Sequence, residues 1–324
     1  MNDEITKYTN KLLRDRTAES ENIRFYRLDD VVTANKQDEW LPIFTEVFNG
    51  LNVAALLFAK PSLAFADLLV ERADPASDKL VPRDSETKVF LHDIPFIRTR
   101  EWAGGTETER ANMIIRCLRE RKAVVIQGVG VVASGGVTVE QAFIGFSTIF
   151  HTTFVKYLLD LLSEGFRLPD ERKHFDRFRN EWLMTPDLQG LGFRTGPLHD
   201  EKEILEEICR VGRYTVEKGY VDSFFGNISY FDGSTIFISQ TASSLDELEG
   251  HLDPVPLDNS STAGLSASSE LPAHRGIYVG SNYRAVLHGH PRFSVIMSMF
   301  CREENCAITD CNRLCDRKRT VCGV

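Results

Sequence analysis

The sequence predicts an α/β fold, present as two copies. Three observations carry this. Helical and strand-like stretches alternate along the chain, an apolar strand near its end carries His-Gly-His, and part of the first half returns in the second half without a gap. The chain has 324 residues, enough for two domains of ordinary size. Its net charge of −9 and lack of a long basic stretch argue against a nucleic-acid partner. The start, Met1-Asn2-Asp3-Glu4, lacks the charged and apolar regions of a signal peptide, and no apolar run reaches the length of a membrane span. A cytoplasmic protein is expected.

The elements follow in order. Trp40, Phe44, Val47 and Phe48 have helical spacing and precede a strand at 53–58. Residues 62–70 read as a helix. Residues 106–121 form an amphipathic helix with Met113, Ile114, Cys117 and Leu118 inward. A strand from Ala123 enters a glycine turn at 128–130, and a helix opens at Thr138 and runs to about Leu162. Residues 168–200 mix charge, Pro and Gly and read as a linker with at most one short helix. Residues 201–218 are helical, with Ile204, Leu205, Ile208, Val211 and Val216 on the buried side. Strands at 228–231 and 235–239 flank Asp232-Gly233, a strong hairpin signal. A helix at 271–278 then leads to the His-Gly-His strand. The expected organisation is a domain at 1–165, a linker at 166–200 and a domain at 201–324.

The repeat is exact in register. At a shift of 230 positions, Leu41, Pro42, Gly50, Asn52, Ala55, Leu57 and Pro61 fall on Leu271, Pro272, Gly280, Asn282, Ala285, Leu287 and Pro291. The same register sets Trp40 on Glu270, Phe58 on His288 and Lys60 on His290. The first copy therefore keeps scaffold positions and lacks these polar residues.

The chemistry centres on Ala285-Val286-Leu287-His288-Gly289-His290-Pro291. Histidines at i and i+2 of a strand project from one face. Two imidazoles with the nearby carboxylate of Glu270 supply most of a divalent-metal site of the open, catalytic type. Upstream lie Gly226-Asn227-Ile228-Ser229, Ile238-Ser239-Gln240-Thr241-Ala242-Ser243-Ser244 and Ala267-Ser268-Ser269-Glu270. In order, spacing and residue type these resemble the class II aldolase/adducin family. That family includes sugar-phosphate aldolases, ribulose-phosphate 4-epimerases, a dehydratase and the non-enzymatic adducin head.

The resemblance implies a mixed central sheet flanked by helices and a zinc ion, or another divalent metal, held by His288, His290 and a third histidine further on. It implies that Glu270 is ligand or base, in reversible carbon–carbon cleavage through a metal-stabilised enediolate. It places Gly226, Asn227, Ser229, Thr241, Ala242, Ser268 and Ser269 near a substrate phosphate. It further implies a small-molecule substrate and a homo-oligomer with its active site between subunits. One departure stands out: Ala242 stands where the family usually has Gly. A methyl there crowds a phosphate, which keeps a substrate without one open.

Val129 takes the place of the family's third zinc histidine in the first copy, so that copy reads as degenerate. In the second copy the counterpart of Val129 would fall 35 positions after Val324. The chain is then either a fragment, the favoured reading, or takes a third ligand from His251, His274 or a partner chain. Epimerase and dehydratase chemistry remain close alternatives to aldol cleavage, as does an adducin-like assembly module. Glu270 also suits a helix cap together with Ser268 or Ser269. His274, one turn on, reads as a packed or supporting histidine, His251 as a loop residue, and His92 and His151 as core or surface. Asp246-Glu247-Leu248-Glu249 reads as a solvated helix face. Cys301, Cys306, Cys311, Cys315 and Cys322 form a cluster that fits a structural metal or iron–sulfur site, free thiols or disulfides. Cys117 and Cys209 read as core packing.

Overall fold

The computed structural model describes residues 2–36, 38–183, 192–258 and 260–300. The chain divides into two compact units: unit 1 is 1–183 with 292–324, and unit 2 is 184–291. The fold class is α/β, with mixed strand pairing and flanking helices, as the sequence predicts.

Unit 1 begins with helix α1 (Asn2–Arg14) and the hairpin β1 (Ala18–Leu28) and β2 (Val32–Ala34). Helix α2 (Leu41–Gly50) has Pro at its start, where a missing N–H costs nothing. It leads into β3 (Ala55–Pro61), then α3 (Phe65–Arg72), β4 (Lys79–Leu80), α4 (Ser85–Leu91), β5 (Ile94–Ile97) and α5 (Thr99–Ala103). Helix α6 (Glu107–Leu118) is opened by a Thr106–Glu109 capping box. Strands β6 (Ala123–Ile126) and β7 (Gly130–Gly135) turn about Gly128, whose φ of 77° suits glycine. The single strand expected from Ala123 is thus two. Helix α7 (Val139–Glu164) starts at a Thr138–Gln141 capping box, and α8 (Glu171–Trp182) follows.

The strand order of this sheet is β2-β1-β3-β7-β6-β5-β4, with β5 and β6 parallel and the other pairs antiparallel. One face carries Tyr26, Leu56, Phe58, Val124, Ile126 and Val132 against α2 and α6. Helix α7 packs on β3 and β7, where Gly145 lets it approach Ala133 on the other face. By length and composition α7 alone, among the described helices, is long and apolar enough to cross a membrane. However, 83 % of its most apolar window is buried inside the protein, as in a core helix.

The expected linker does not hold at its near end. Phe178 of α8 is buried, with its ring 5.3 Å from Phe65 and 5.5 Å from Phe154. Glu171, fully buried, pairs with Arg72 and accepts the Leu168 N–H at 3.0 Å. These contacts extend unit 1 to residue 183 rather than 165. Helix α11, numbered last in the chain (Arg292–Met299), also belongs to unit 1, with Phe293 5.5 Å from Phe154.

Unit 2 contains α9 (Glu201–Glu217), β8 (Gly226–Phe231), β9 (Thr235–Ser239), β10 (Leu252–Pro256), α10 (Leu271–Gly280) and β11 (Ala285–Gly289). Its antiparallel sheet has the order β10-β9-β8-β11. The Asp232-Gly233 turn is as expected: Asp232 Oδ1 accepts the N–H groups of Ser234 and Thr235. The acidic run 246–249 is not a solvated helix. Asp246 and Leu248 are buried, and Ser244 donates to Asp246 at 2.6 Å.

The repeat is partly visible. Helix α2 and helix α10 coincide end to end at the 230-residue shift, and β3 and β11 begin together. Each of these strands pairs antiparallel with the first strand of a preceding hairpin, β1 or β8.

Candidate functional site

His288 and His290 stand at the end of β11, their ring centroids 4.9 Å apart. Alternation along the strand puts them on one face, as the sequence indicated. Opposite them runs β8, in the register His288 to Asn227 and Gly289 to Gly226. Gly226 is required: a Cβ there would meet the His288 carbonyl oxygen at 2.5 Å. Gly289 is likewise confined, since its Cβ would lie 2.6 Å from Val221.

Asn227 is buried. Its Nδ2 lies 3.3 Å from His288 Nδ1, while its Oδ1 has no partner. Rotating the amide by half a turn lets Oδ1 accept an Nδ1–H from His288. That tautomer leaves the Nε2 lone pair free, as a metal-bound imidazole requires. Asn227 thus orients His288, whatever it does toward a substrate.

His274 is packed, in keeping with the sequence reading of a packed or supporting histidine. It is buried on α10, Nδ1 is 2.7 Å from Ser229 Oγ, and Nε2 has no partner. Burial holds its pKa below the ordinary value; the charge of His288 lowers it further, and Glu270 opposes both. In the repeat register position 274 corresponds to Phe44, a core position. Ser229, expected at a phosphate, is buried and bridges His274 and Tyr278, the latter at 2.6 Å. Its hydroxyl is committed to those neighbours, which corrects the expectation.

Glu270 occupies the N-cap position of α10, yet its side chain makes no cap hydrogen bond. Ser268 Oγ instead accepts the Glu270 N–H at 3.3 Å, so the serine holds the turn and the carboxylate is left for other work. Ser269 is exposed. Thr241 donates its hydroxyl proton to the Ala267 carbonyl at 2.8 Å. Ala242 has φ 60°, the left-handed region that favours glycine. The departure noted in the sequence therefore sits at a backbone position where glycine is the easier residue. His251 lies beside Gln240, Nδ1 to Oε1 3.3 Å, on the exposed rim.

Unit 1 shows what the same register becomes without polar residues. Trp40 and Phe58, at the positions of Glu270 and His288, have ring centroids 4.7 Å apart. Phe44, at the position of His274, lies 5.6 Å from Phe58, and Trp102 stacks on Trp40 at 5.9 Å. Val129 packs at the edge of this cluster, and Lys60 Nζ donates to the Gly128 carbonyl at 3.4 Å. An aromatic plug fills the place.

Could the residues of unit 2 hold a metal? Among the described residues no group of three His, Cys, Asp or Glu forms a ligand set. Two adjacent imidazoles with an orienting amide fit half a site, and the third donor is not among them. The cysteine cluster at 301–322 lies outside the described residues. Cys117 and Cys209 are free and half-buried; burial pushes both thiols up, Cys209 to about 11.

Residues 206–318 match the Class II Aldolase and Adducin N-terminal domain. No curated protein matches the chain. Among solved structures, the chain is similar to L-fuculose-1-phosphate aldolase from Thermus thermophilus, at 17% identity and TM-score 0.41, over 51% of this chain and 97% of that one. It is also similar to YgbL, a putative aldolase/epimerase/decarboxylase from Klebsiella pneumoniae (11% identity, TM-score 0.42, 54% and 95% covered). A third is L-fuculose 1-phosphate aldolase from Glaciozyma antarctica (13% identity, TM-score 0.31, 55% and 82% covered).

Proposed function

We propose that the second copy is a metal-dependent aldehyde-lyase of class II aldolase type, acting on a small hydroxylated, phosphorylated compound. The observation that carries this reading is the adjacent pair His288 and His290, with Asn227 oriented on His288, inside the stretch matched by the family. His288 and His290 would hold a divalent metal, zinc by preference, with a third donor from outside the described residues or from a neighbouring subunit of a homo-oligomer. When bound, the ion would serve as a Lewis acid toward the substrate's oxygens.

The protein's own groups do the rest. Glu270 is held through its backbone by Ser268 and its carboxylate makes no cap hydrogen bond, so it suits a base that takes the substrate hydroxyl proton. Asn227 sets the His288 tautomer. Gly226 lets strands β8 and β11 close on each other, which fixes both histidines. Thr241 holds its turn through the Ser266 and Ala267 carbonyls, and the Ala242 N–H with the exposed Ser269 hydroxyl would be the groups offered to an anion. Unit 1, plugged by Trp40, Phe44 and Phe58, has a structural role.

The test is elemental metal analysis of the chain beside the His288→Ala/His290→Ala double variant. Loss of about one zinc per chain in the variant is expected for a site of this kind. Equal metal in both would overturn the reading. It would favour instead a non-catalytic assembly module, the second reading, which rests on the lack of a third donor among the described residues.

A further inference from the structure

Among the described residues, the sheet of unit 1 ends at β2, whereas in unit 2 β10 continues beyond the hairpin β8–β9. Two polar residues come with this added strand, and the chemistry set out above uses neither. Asp253 of β10 is only 7% exposed. Its Oδ1 accepts a Gln240 Nε2–H at 2.8 Å, and its Oδ2 has no partner. Among the described residues no lysine or arginine pairs with it. His251 stands just before β10. It is exposed, with Nδ1 3.3 Å from Gln240 Oε1.

These three side chains fix one another's hydrogens. A carboxylate only accepts, so Gln240 turns its NH2 toward Asp253 and its carbonyl oxygen toward His251. That oxygen also only accepts, so His251 carries its proton on Nδ1. Nε2 is then an acceptor in the neutral ring and a donor only in the imidazolium. A buried carboxylate without a cation is costly. An imidazolium at position 251 is the compensating charge to which Gln240 connects Asp253. The other charged group beside it is Glu249, itself paired with Arg213 of α9.

Backbone pairing places the chain of hydrogen bonds. The Gln240 N–H donates to the His251 carbonyl, and on its other side Gln240 bridges Ala267. Ser269 lies two residues beyond Ala267. Ala242 lies two beyond Gln240, in a turn closed by the Ser243 N–H on the Gln240 carbonyl. His251, the Ala242 N–H and the Ser269 hydroxyl are thus gathered about the end of β9. The hydroxyls of Thr241 and Ser229 are committed elsewhere, so the two groups left for an anion carry no charge. An ionised donor bonds an anion roughly twice as strongly as a neutral one.

We infer that His251, oriented by Gln240 and Asp253, is a further binding residue of unit 2 and donates its Nε2–H to the phosphate of the ligand. The inference rests on the reading of that ligand as phosphorylated and is independent of the metal. Gln240 and Asp253 are positioning residues, because they act only through the imidazole.

The probe is inorganic phosphate, titrated into the intact chain by calorimetry at about pH 6, where imidazoles are largely protonated. His251→Gln, at an exposed position, should weaken binding about tenfold. The gap between the two proteins should close toward about pH 8, where a neutral imidazole has no Nε2 proton to give. Asp253→Asn keeps an acceptor for Gln240 and removes the charge, so it should weaken binding about threefold at pH 6. Long-range proton–nitrogen spectra of the free protein at pH 8 should show His251 protonated on Nδ1. The His288→Ala/His290→Ala variant should keep its phosphate affinity within about twofold. No phosphate binding, equal binding by His251→Gln at pH 6, or an Nε2–H tautomer at pH 8 would each overturn the inference. So would loss of binding in the double histidine variant, since a metal would then hold the phosphate. Equal metal content in the chain and that variant would instead overturn the metal reading and leave the phosphate result standing.

Discussion

Replacing Ser229 by Ala separates two roles for one hydroxyl. Ser229 Oγ lies 2.7 Å from His274 Nδ1 and 2.6 Å from the Tyr278 hydroxyl, and all three residues are buried. Ser229→Ala leaves two polar groups without this partner, each at a cost of about 1–3 kcal/mol. Tyr278 keeps a backbone contact to Val286, so most of the loss falls on His274, whose Nε2 already lacks a partner. The expected destabilisation of unit 2 is about 2–3 kcal/mol. Tryptophan fluorescence is blind to it, because Trp40, Trp102 and Trp182 all belong to unit 1. Hydrogen exchange in increasing urea, read on peptides spanning 226–231 and 271–280, reports the right region. With a urea slope of about 1.5 kcal/mol/M, the midpoint should fall by about 1.5 M. In the Ser229→Ala background, Tyr278→Phe should cost less than in the parent, because the hydroxyl has already lost its bond to Ser229 and keeps only the contact to Val286. A midpoint within about 0.3 M of the parent, with weakened binding of inorganic phosphate, would refute this reasoning and return Ser229 to an anion site.

Other outcomes follow from single contacts. Ala242→Gly relieves a left-handed alanine and should raise stability by about 0.5–1 kcal/mol after the entropy of glycine is counted, read as a higher melting temperature. Glu171→Ala removes the buried partner of Arg72, leaving it the longer contact to Glu164 and the Gly165 carbonyl, and should cost about 3 kcal/mol, read by the fluorescence of Trp182 in denaturant. The depressed pKa of His274 means that the unfolded chain takes up its proton first as pH falls. In metal-free protein its contribution to stability is therefore full above about pH 6.5 and declines below it, a slope that His274→Phe should flatten in acid melts.

Much of the site was legible in the sequence because it rests on local rules. Period-two alternation put His288 and His290 together, and the 230-residue register aligned Trp40 and Phe58, which pack together, with Glu270 and His288. The elements that escaped notice break such rules. Strand β1 carries Glu19, Glu21, Arg24 and Arg27 among its apolar residues, and β10 contains two prolines, tolerated because it is an edge strand. Helix α8 is polar overall and owes its place to Phe178 and to the Glu171–Arg72 pair, contacts made with residues about a hundred positions away. The roles of Ser229 and His274 depend on packing across α10 and β8, which no spacing reveals.

The aromatic plug of unit 1 sets out, within one chain, the exchange between durability and chemistry. The same backbone register carries Trp40, Phe44 and Phe58 in one copy and Glu270, His274 and His288 in the other. Apolar rings in that slot gain by leaving water, whereas carboxylate and imidazole groups lose hydration there and are retained at a cost in stability. Transplanting the three aromatic residues onto positions 270, 274 and 288 would thus measure, against the unaltered chain, how much folding free energy unit 2 forgoes to keep its reactive groups.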